Sequence, residues 1–69
     1  MLRENVESSN LAEVGYDPVS ETLEVMFHSG GVYQYYNVPQ FEYDRMMEAV
    51  SIGTYFNREV KGNYPEQKI

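Results

Sequence analysis

Apolar and polar residues alternate along the first half of the chain, which is the pattern of half-buried β-strands. The alternation predicts three strands, around Ala12 to Tyr16, from Leu23 to His28 and from Val32 to Val38. Asp17-Pro18 and Ser29-Gly30-Gly31 have the residues of turns and separate these strands. Strands joined by such short turns form an antiparallel meander.

The period changes after Pro39, where apolar residues recur at helical spacing. A first helix is predicted from an apolar stripe, with Pro39 at its first position: Tyr43, Met46, Met47 and Val50. Ser51 is a candidate N-cap for a second helix, and Gly62 lies where a left-handed residue would end it. Its apolar side is Ile52, Tyr55, Phe56 and Val60. Gly53 in the first turn weakens this prediction, because glycine disfavours helix.

The order β-β-β-α-α predicts a single α+β domain over residues 1–69. In this fold a three-stranded antiparallel meander carries two C-terminal helices on one face, and its other face stays open. Residues 1–8 are interpreted as a loosely ordered lead-in, and residues 65–69 as a loosely ordered tail.

The register of the last hairpin decides whether Tyr33 and Tyr35 belong to the core. A two-residue turn would place Gln34 in the core, where an amide without partners costs about 1–3 kcal/mol. A three-residue loop, Ser29-Gly30-Gly31, instead pairs Phe27 with Tyr33 and Val25 with Tyr35, with Gly31 left-handed. We favour this second register. It directs both tyrosines toward the helices and leaves on the open face Met26, His28, Gln34 and Tyr36.

Composition narrows the classes of function. The chain has 69 residues, no cysteine and one histidine, which argues against disulfides, thiol catalysis and a cysteine- or histidine-rich metal site. No apolar run approaches the length of a membrane span, and a small chain without disulfides is expected in the cytoplasm. A net charge of −6 opposes unaided binding to nucleic-acid phosphates.

Several short motifs, in order and spacing, make the chain resemble the KTSC domain from about Ser8 to Tyr64. The motifs are Ser8-Ser9-Asn10, Gly15-Tyr16-Asp17, Leu23-x-Val25-x-Phe27, Gly30, Tyr33-Gln34-Tyr35, Val38-Pro39, Ser51-x-Gly53-x-Tyr55-Phe56-Asn57 and Tyr64. This short module occurs at the C-terminus of some lysyl-tRNA synthetases and as a separate bacterial or phage protein. The resemblance implies no defined activity, although association with the synthetase suggests RNA binding. One departure is Pro65-Glu66-Gln67, which interrupts the tail where an RNA-binding member would carry basic residues.

The residues themselves predict neither catalysis nor a cofactor. His28 abuts a glycine turn and is expected to be a surface histidine, and the carboxylates of the first helix are spaced as a solvated face. A binding module is the better hypothesis. Met26, Val32 and Tyr36 would form an apolar patch on the open face, suited to a protein partner or to a second copy of the chain.

RNA binding is the alternative. Tyr33, Tyr35 and Tyr36 on the central strand would offer aromatic rings for stacking bases, and Arg58 and Lys61 on the last helix would offer positive charge. Cations outnumber carboxylates only in residues 55–69. The sequence therefore places protein contact or self-association slightly ahead of RNA contact.

Overall fold

Five antiparallel strands form the sheet of the computed structural model, which describes residues 1–69. The strands are β1 (Glu4–Asn5), β2 (Leu11–Asp17), β3 (Thr22–Phe27), β4 (Val32–Tyr35) and β5 (Glu66–Lys68), and they lie side by side in that order. The α+β class is confirmed, but the prediction of three strands is wrong. The two additional strands come from the segments interpreted as lead-in and tail, where exposed residues at every position leave no alternation to detect.

Strand β2 contains a β-bulge that the sequence pattern does not reveal. Val14 and Tyr16 lie opposite Val25 and Leu23, as expected for residues of one face. The register shifts between Leu11 and Glu13, so Leu11 rather than Ala12 is the buried residue at the start of the strand. A bulge inserts one residue into the strand and thereby changes which positions face the core.

The hairpin between β3 and β4 has the predicted loop length, but the loop lies one residue earlier along the chain. Residues 28–30 form it, with the Phe27 amide donating to the Gly31 carbonyl at 3.0 Å. Gly30, not Gly31, is left-handed, with φ of 100°. Tyr33 therefore pairs with Val25, and Tyr35 pairs with Leu23. The predicted partners of Tyr33 and Tyr35, Phe27 and Val25, were therefore wrong by two residues along β3. A shift of two residues leaves each side chain on its predicted face of the sheet.

Helix α1 spans Gln40–Glu48, and Pro39 is its N-cap rather than its first helical residue. Because the helix ends at Glu48, Val50 is fully exposed and its predicted place on the buried stripe is wrong. Strand β4 likewise ends at Tyr35, short of the predicted Val38, and Asn37 adopts a φ of 63° beyond it.

The second helix begins as predicted but changes its winding after one turn. Helix α2 spans Ile52–Tyr55, and the Ser51 hydroxyl accepts a hydrogen bond from the Thr54 amide at 3.2 Å. It continues as a π-helical turn, Phe56–Val60, in which the Lys61 amide reaches back to the Phe56 carbonyl at 2.9 Å. Gly62 follows with φ of 84°, the predicted left-handed stop.

The core lies between the sheet and the helices, so the helices cover one face of the sheet. Nine apolar side chains are buried there, contributed by β2, β3, β4, the connection before α1, α1 and the π-helical turn: Leu11, Val14, Leu23, Val25, Tyr35, Val38, Met46, Phe56 and Val60. The uncovered side is called the outer face below. No helix is long and apolar enough to cross a membrane.

Candidate functional site

The outer face carries a continuous network of polar side chains that crosses the sheet. Glu24 on β3 is its centre, accepting hydrogen bonds from Arg3 and, at 2.8 Å, from the Gln34 amide. Arg3 also donates to Glu13 at 2.9 Å. On the far side, the Tyr36 hydroxyl lies 2.8 Å from the Gln34 carbonyl oxygen and 3.2 Å from that of Gln67 on β5.

Glu24 is unusual because only 4% of it is exposed, although no helix packs over this face. Burial raises the pKa of a carboxyl group, but the hydrogen bonds from Gln34 and Arg3 and the charge of Arg3 together hold the pKa of Glu24 below its usual range. The pKa of Arg3 is raised by its hydrogen bonds to Glu13 and Glu24. The pair is therefore fully ionised at neutral pH and fixes the centre of the outer face.

The N-terminal residues Met1–Asn5, called the strap below, bring Arg3 to Glu24. The backbone crosses the outer face at Gly15, where a β-carbon would lie 2.3 Å from the Leu2 carbonyl oxygen and 3.1 Å from Arg3 Cγ. Only glycine leaves room for this crossing. Arg3 can then reach over β2 to Glu24 on β3.

An apolar row lies beside the polar network. Met26 on β3 pairs with Val32 on β4, and the Ile69 amide donates to the Val32 carbonyl at 2.9 Å, which continues the β4–β5 register to the end of the chain. Ile69 is 59% exposed. Tyr36 is separated from this apolar row by the polar side chains of Glu24, Gln34 and Gln67, which are paired across β3, β4 and β5. The predicted single patch of Met26, Val32 and Tyr36 is thus divided.

Tyr33 and Tyr35 lie on the opposite, helix-covered face. Tyr35 is only 1% exposed and packs edge-on against Phe56, with ring centroids 5.3 Å apart. Burial, with a smaller contribution from the charge of Glu66, raises the pKa of Tyr35 to about 12. Tyr33 is half-buried and packs edge-on against Phe27 at 5.6 Å. Neither ring is displayed on an open sheet surface for stacking.

A cleft at the edge of the covered face nevertheless brings together three of the predicted site residues, Tyr33, Tyr35 and Lys61. It encloses about 290 Å³ and is completed by Phe27, Ser29 and Glu66. Lys68 pairs in register with Tyr33 on the neighbouring strand. The aromatic strand and part of the basic C-terminal region therefore meet at one place.

Arg58 is not part of that cleft. Its guanidinium group bonds to Glu59 at 3.0 Å and lies over the Tyr55 ring, 5.9 Å from the centroid.

His28 is also displaced from its predicted position on the open face, because it belongs to the exposed hairpin loop. One ring nitrogen, Nε2, lies 2.8 Å from the Ser8 carbonyl oxygen.

Sequence reasoning missed Arg3, Glu24, Gln67 and Ile69 as members of this site. Glu24 had a signal, since strict alternation from Met26 places it on the same face. The other three had none, because they lie in the terminal segments whose pairing the pattern does not predict.

Comparison with known proteins gives a consistent result. A family model described as the KTSC domain matches residues 7–64. An uncharacterized protein of Stutzerimonas stutzeri is 43% identical over 61 residues, which cover 88% of this chain and 86% of that protein. A lysine–tRNA ligase of Nostoc is 32% identical over 63 residues, which cover 91% of this chain but only 11% of the ligase. The crystal structure of a KTSC domain protein from Yersinia pestis superposes with a TM-score of 0.95 at 40% identity, covering 99% of this chain and 96% of that one.

Proposed function

The chain belongs to the KTSC domain family, and from that premise we propose that it is a non-enzymatic binding module whose outer face contacts a protein partner. Similar sequences form nearly the whole of a small protein in one relative and a short part of a lysine–tRNA ligase in another. A domain that occurs both as a small separate protein and as a short part of an enzyme is suited to binding another molecule rather than to catalysis.

The observation that carries the proposal is the uncovered outer face. Its polar side chains are already hydrogen-bonded to one another, so a partner need not order them on binding. Beside them lies the apolar row of Met26, Val32 and Ile69, which supplies surface to bury. The net charge of −6 favours a partner with a basic surface.

The absence of catalysis is part of the same proposal. The buried carboxylates serve structural contacts: Glu24 is bound by Arg3 and Gln34, and Glu42 accepts a hydrogen bond from the Tyr55 hydroxyl at 3.0 Å. His28, the one histidine of the chain, stands on an exposed loop.

Replacing Met26 and Val32 with serine together is expected to weaken partner binding roughly ten-fold, because two central apolar contacts are lost. The measurement is crosslinking of the purified chain in an extract of cells that express it, followed by affinity measurement with the identified partner. The control is the double variant Val19→Ser and Val50→Ser, whose parent side chains are exposed elsewhere. If the Met26→Ser and Val32→Ser double variant binds the partner with unchanged affinity, the outer face is not the contact surface.

A second candidate function is RNA contact through the cleft, favoured by the meeting of Tyr33, Tyr35 and Lys61 there. Tyr33 is only half-buried, so part of its ring is open to a base, and Lys61 and Lys68 would meet the phosphate. The overall charge opposes this function, so any affinity is expected to be low and strongly dependent on salt.

If RNA binds at this cleft, Lys61→Ala weakens binding and Arg58→Ala does not, because Arg58 lies outside the cleft and is paired with Glu59. The measurement is an NMR titration of amide shifts with single-stranded RNA and with tRNA, at about 50 mM and then about 200 mM salt. An equal loss of RNA affinity in Lys61→Ala and Arg58→Ala would indicate nonspecific electrostatic attraction rather than binding in the cleft. An unchanged spectrum at both salt concentrations would exclude RNA as a ligand of the isolated chain.

A further inference from the structure

The edge of the sheet at β5 has backbone groups that point away from the molecule. The Ile69 amide donates to the Val32 carbonyl at 2.9 Å, and the bonds of an antiparallel pair recur at every second residue. Residues 67 and 69 therefore direct their backbone groups toward β4. The amide and carbonyl groups of Glu66 and Lys68 point the other way, where no further strand lies.

This edge lacks most of the devices that keep sheet edges from pairing. All residues of β5 are exposed, and its register with β4 is regular. Pro65 precedes the strand, but its backbone faces β4, where its carbonyl accepts from the Tyr36 amide at 2.9 Å. The opposite edge strand, β1 in the strap, has two residues, and only Asn5 faces outward there, because the Val6 amide bonds to the Ala12 carbonyl.

The side chain of Lys68 favours an acidic residue on an added strand. Lys68 is exposed and lies on the covered face, in register with Tyr33. The ion pairs of the chain involve Arg3 and Arg58, so the ammonium group of Lys68 has no carboxylate partner. Opposite charges directly across from each other stabilise two paired strands, and like charges oppose the pairing. The charge of Lys68 thus selects which segments can pair with β5.

Ile69 favours an apolar residue at the neighbouring position. It is 59% exposed on the outer face, where it ends the apolar row of Met26 and Val32. A residue opposite Ile69 would cover it and lengthen that row. All strand pairs of this sheet are antiparallel. In a further antiparallel strand, the residue opposite Ile69 comes directly before the residue opposite Lys68.

We propose that β5 binds an extended segment of a partner protein as an added antiparallel strand, in which an apolar residue and then an acidic residue lie opposite Ile69 and Lys68. Glu66 and Lys68 each exchange two backbone hydrogen bonds with the segment, which supplies affinity, and the side chains supply selectivity. The inference rests on the proposed function, because the partner is a protein, and it places a contact at the edge beside the outer face. The domain need not open for this contact.

A synthetic peptide tests the added strand. The probe is a short blocked threonine peptide with valine followed by glutamate at its centre, titrated to about 5 mM into the isotopically labelled chain. Backbone hydrogen bonds of ordinary strength predict a dissociation constant of roughly 1 mM. The amide protons of Glu66 and Lys68 are expected to move downfield in a saturable manner in NMR spectra. If neither amide shifts over the whole titration, the proposal is overturned.

Methylation of single peptide nitrogens is the matched control. The amide of the peptide glutamate would point toward β5, whereas that of the valine would point away from it. N-methylation of the glutamate is expected to weaken binding at least about ten-fold, and N-methylation of the valine should leave the affinity unchanged. Equal affinities of the two methylated peptides would contradict strand addition. A peptide with lysine in place of glutamate should bind more weakly, and unchanged affinity would refute the predicted selectivity of Lys68.

Lys68→Pro tests the same contact on the chain. Proline removes the outward amide of residue 68 but none of the hydrogen bonds to β4, and edge strands accept proline on their open side. The control Lys68→Ala loses the charge and keeps the amide. We expect Lys68→Pro to bind the peptide at least about ten-fold more weakly than Lys68→Ala, with the Tyr36 amide reporting whether β5 stays paired. If β5 separates in Lys68→Pro, the methylated peptides decide.

Two further outcomes separate this inference from its alternatives. Shifts of the Glu66 and Lys68 amides that depend on the concentration of the chain alone would make a second copy the occupant, and would overturn the proposal. Failure of the peptide to bind leaves the proposed outer-face contact standing, because the Met26 and Val32 variant tests that contact separately. Peptide binding, together with unchanged partner affinity in that variant, would sustain the added strand and refute only the outer-face contact.

Discussion

Replacing Tyr35 with alanine is expected to lower the free energy of unfolding by about 3–5 kcal/mol, the usual cost of removing a large buried aromatic side chain. Tyr35 is 1% exposed, and its ring packs edge-on against Phe56 at 5.3 Å. A domain of this length has about 3–10 kcal/mol of total stability. The variant should therefore lose a large part of its stability, which urea denaturation followed by circular dichroism measures.

Two substitutions serve as controls for this result. Tyr33→Ala should cost clearly less, because Tyr33 is half-buried at the edge of the covered face. Tyr35→Phe keeps the ring and should lose only the contribution of the hydroxyl group, about 1 kcal/mol. Equal losses for Tyr33→Ala and Tyr35→Ala would contradict the packing described for the central strand.

Gly53→Ala should lower the free energy of unfolding by about 1–3 kcal/mol, the range for overpacking a buried position. In an exposed helix the same change stabilises by about 1 kcal/mol, so the expected sign is reversed. The added methyl group would lie 2.1 Å from Asn10 Oδ1 and 2.6 Å from Ser8 Oγ. Thermal unfolding measures the loss, since each kcal/mol shifts the midpoint by about 4–8 °C in a domain of this size.

The polar atoms facing Gly53 cannot move aside freely. Ser8 Oγ accepts hydrogen bonds from the amides of Asn10 and Leu11 at 3.3 and 3.2 Å, and it donates to Asn10 Oδ1 at 2.9 Å. This turn leads the chain into β2. Combining Gly53→Ala with Asn10→Ala should recover part of the loss, which a double-mutant cycle quantifies. A rise in stability for Gly53→Ala alone would show that the turn adapts.

In β3 and β4 the face of each strand residue was predictable, whereas the register was not. Alternation has a period of two, so it assigns Tyr33 and Tyr35 to one face whether Tyr33 lies opposite Phe27 or opposite Val25. Which partner is chosen depends on where the left-handed glycine falls. The sequence offers two adjacent glycines, Gly30 and Gly31, and either could adopt the left-handed conformation. The folded hairpin shows that Gly30 adopts it.

The terminal strands were beyond sequence reasoning for a different reason. β1 and β5 are exposed on both sides, so no apolar period marks them, and backbone hydrogen bonds alone define them. Consequently, Met26 and Tyr36 were assigned to the outer face from the sequence, but Arg3 and its bond to Glu24 were not. That bond joins the residue before β1 to β3, a strand that is not a neighbour of β1 in the sheet.

The separation of Arg58 from Lys61 follows from local winding. The sequence grouped these two cations because both fall on the predicted last helix, in which residues three apart would share one face. Here the last turn is π-helical, and Lys61 leaves it with an extended backbone, φ of −63° and ψ of 125°. Lys61 therefore lines the cleft with Tyr33, and Arg58 remains beside Tyr55.

The order of the strands across the sheet has a consequence for the speed of folding. Strands β1 to β4 each pair with the next strand along the chain, so these contacts close only short loops and cost little chain entropy. The β4–β5 pairing is the exception, since residues 36–65 and both helices intervene. The three local hairpins can therefore form early and independently. We expect the last strand to be added after the helices have packed, and this late step to decide when Tyr35 becomes enclosed and the cleft beside Lys61 takes shape.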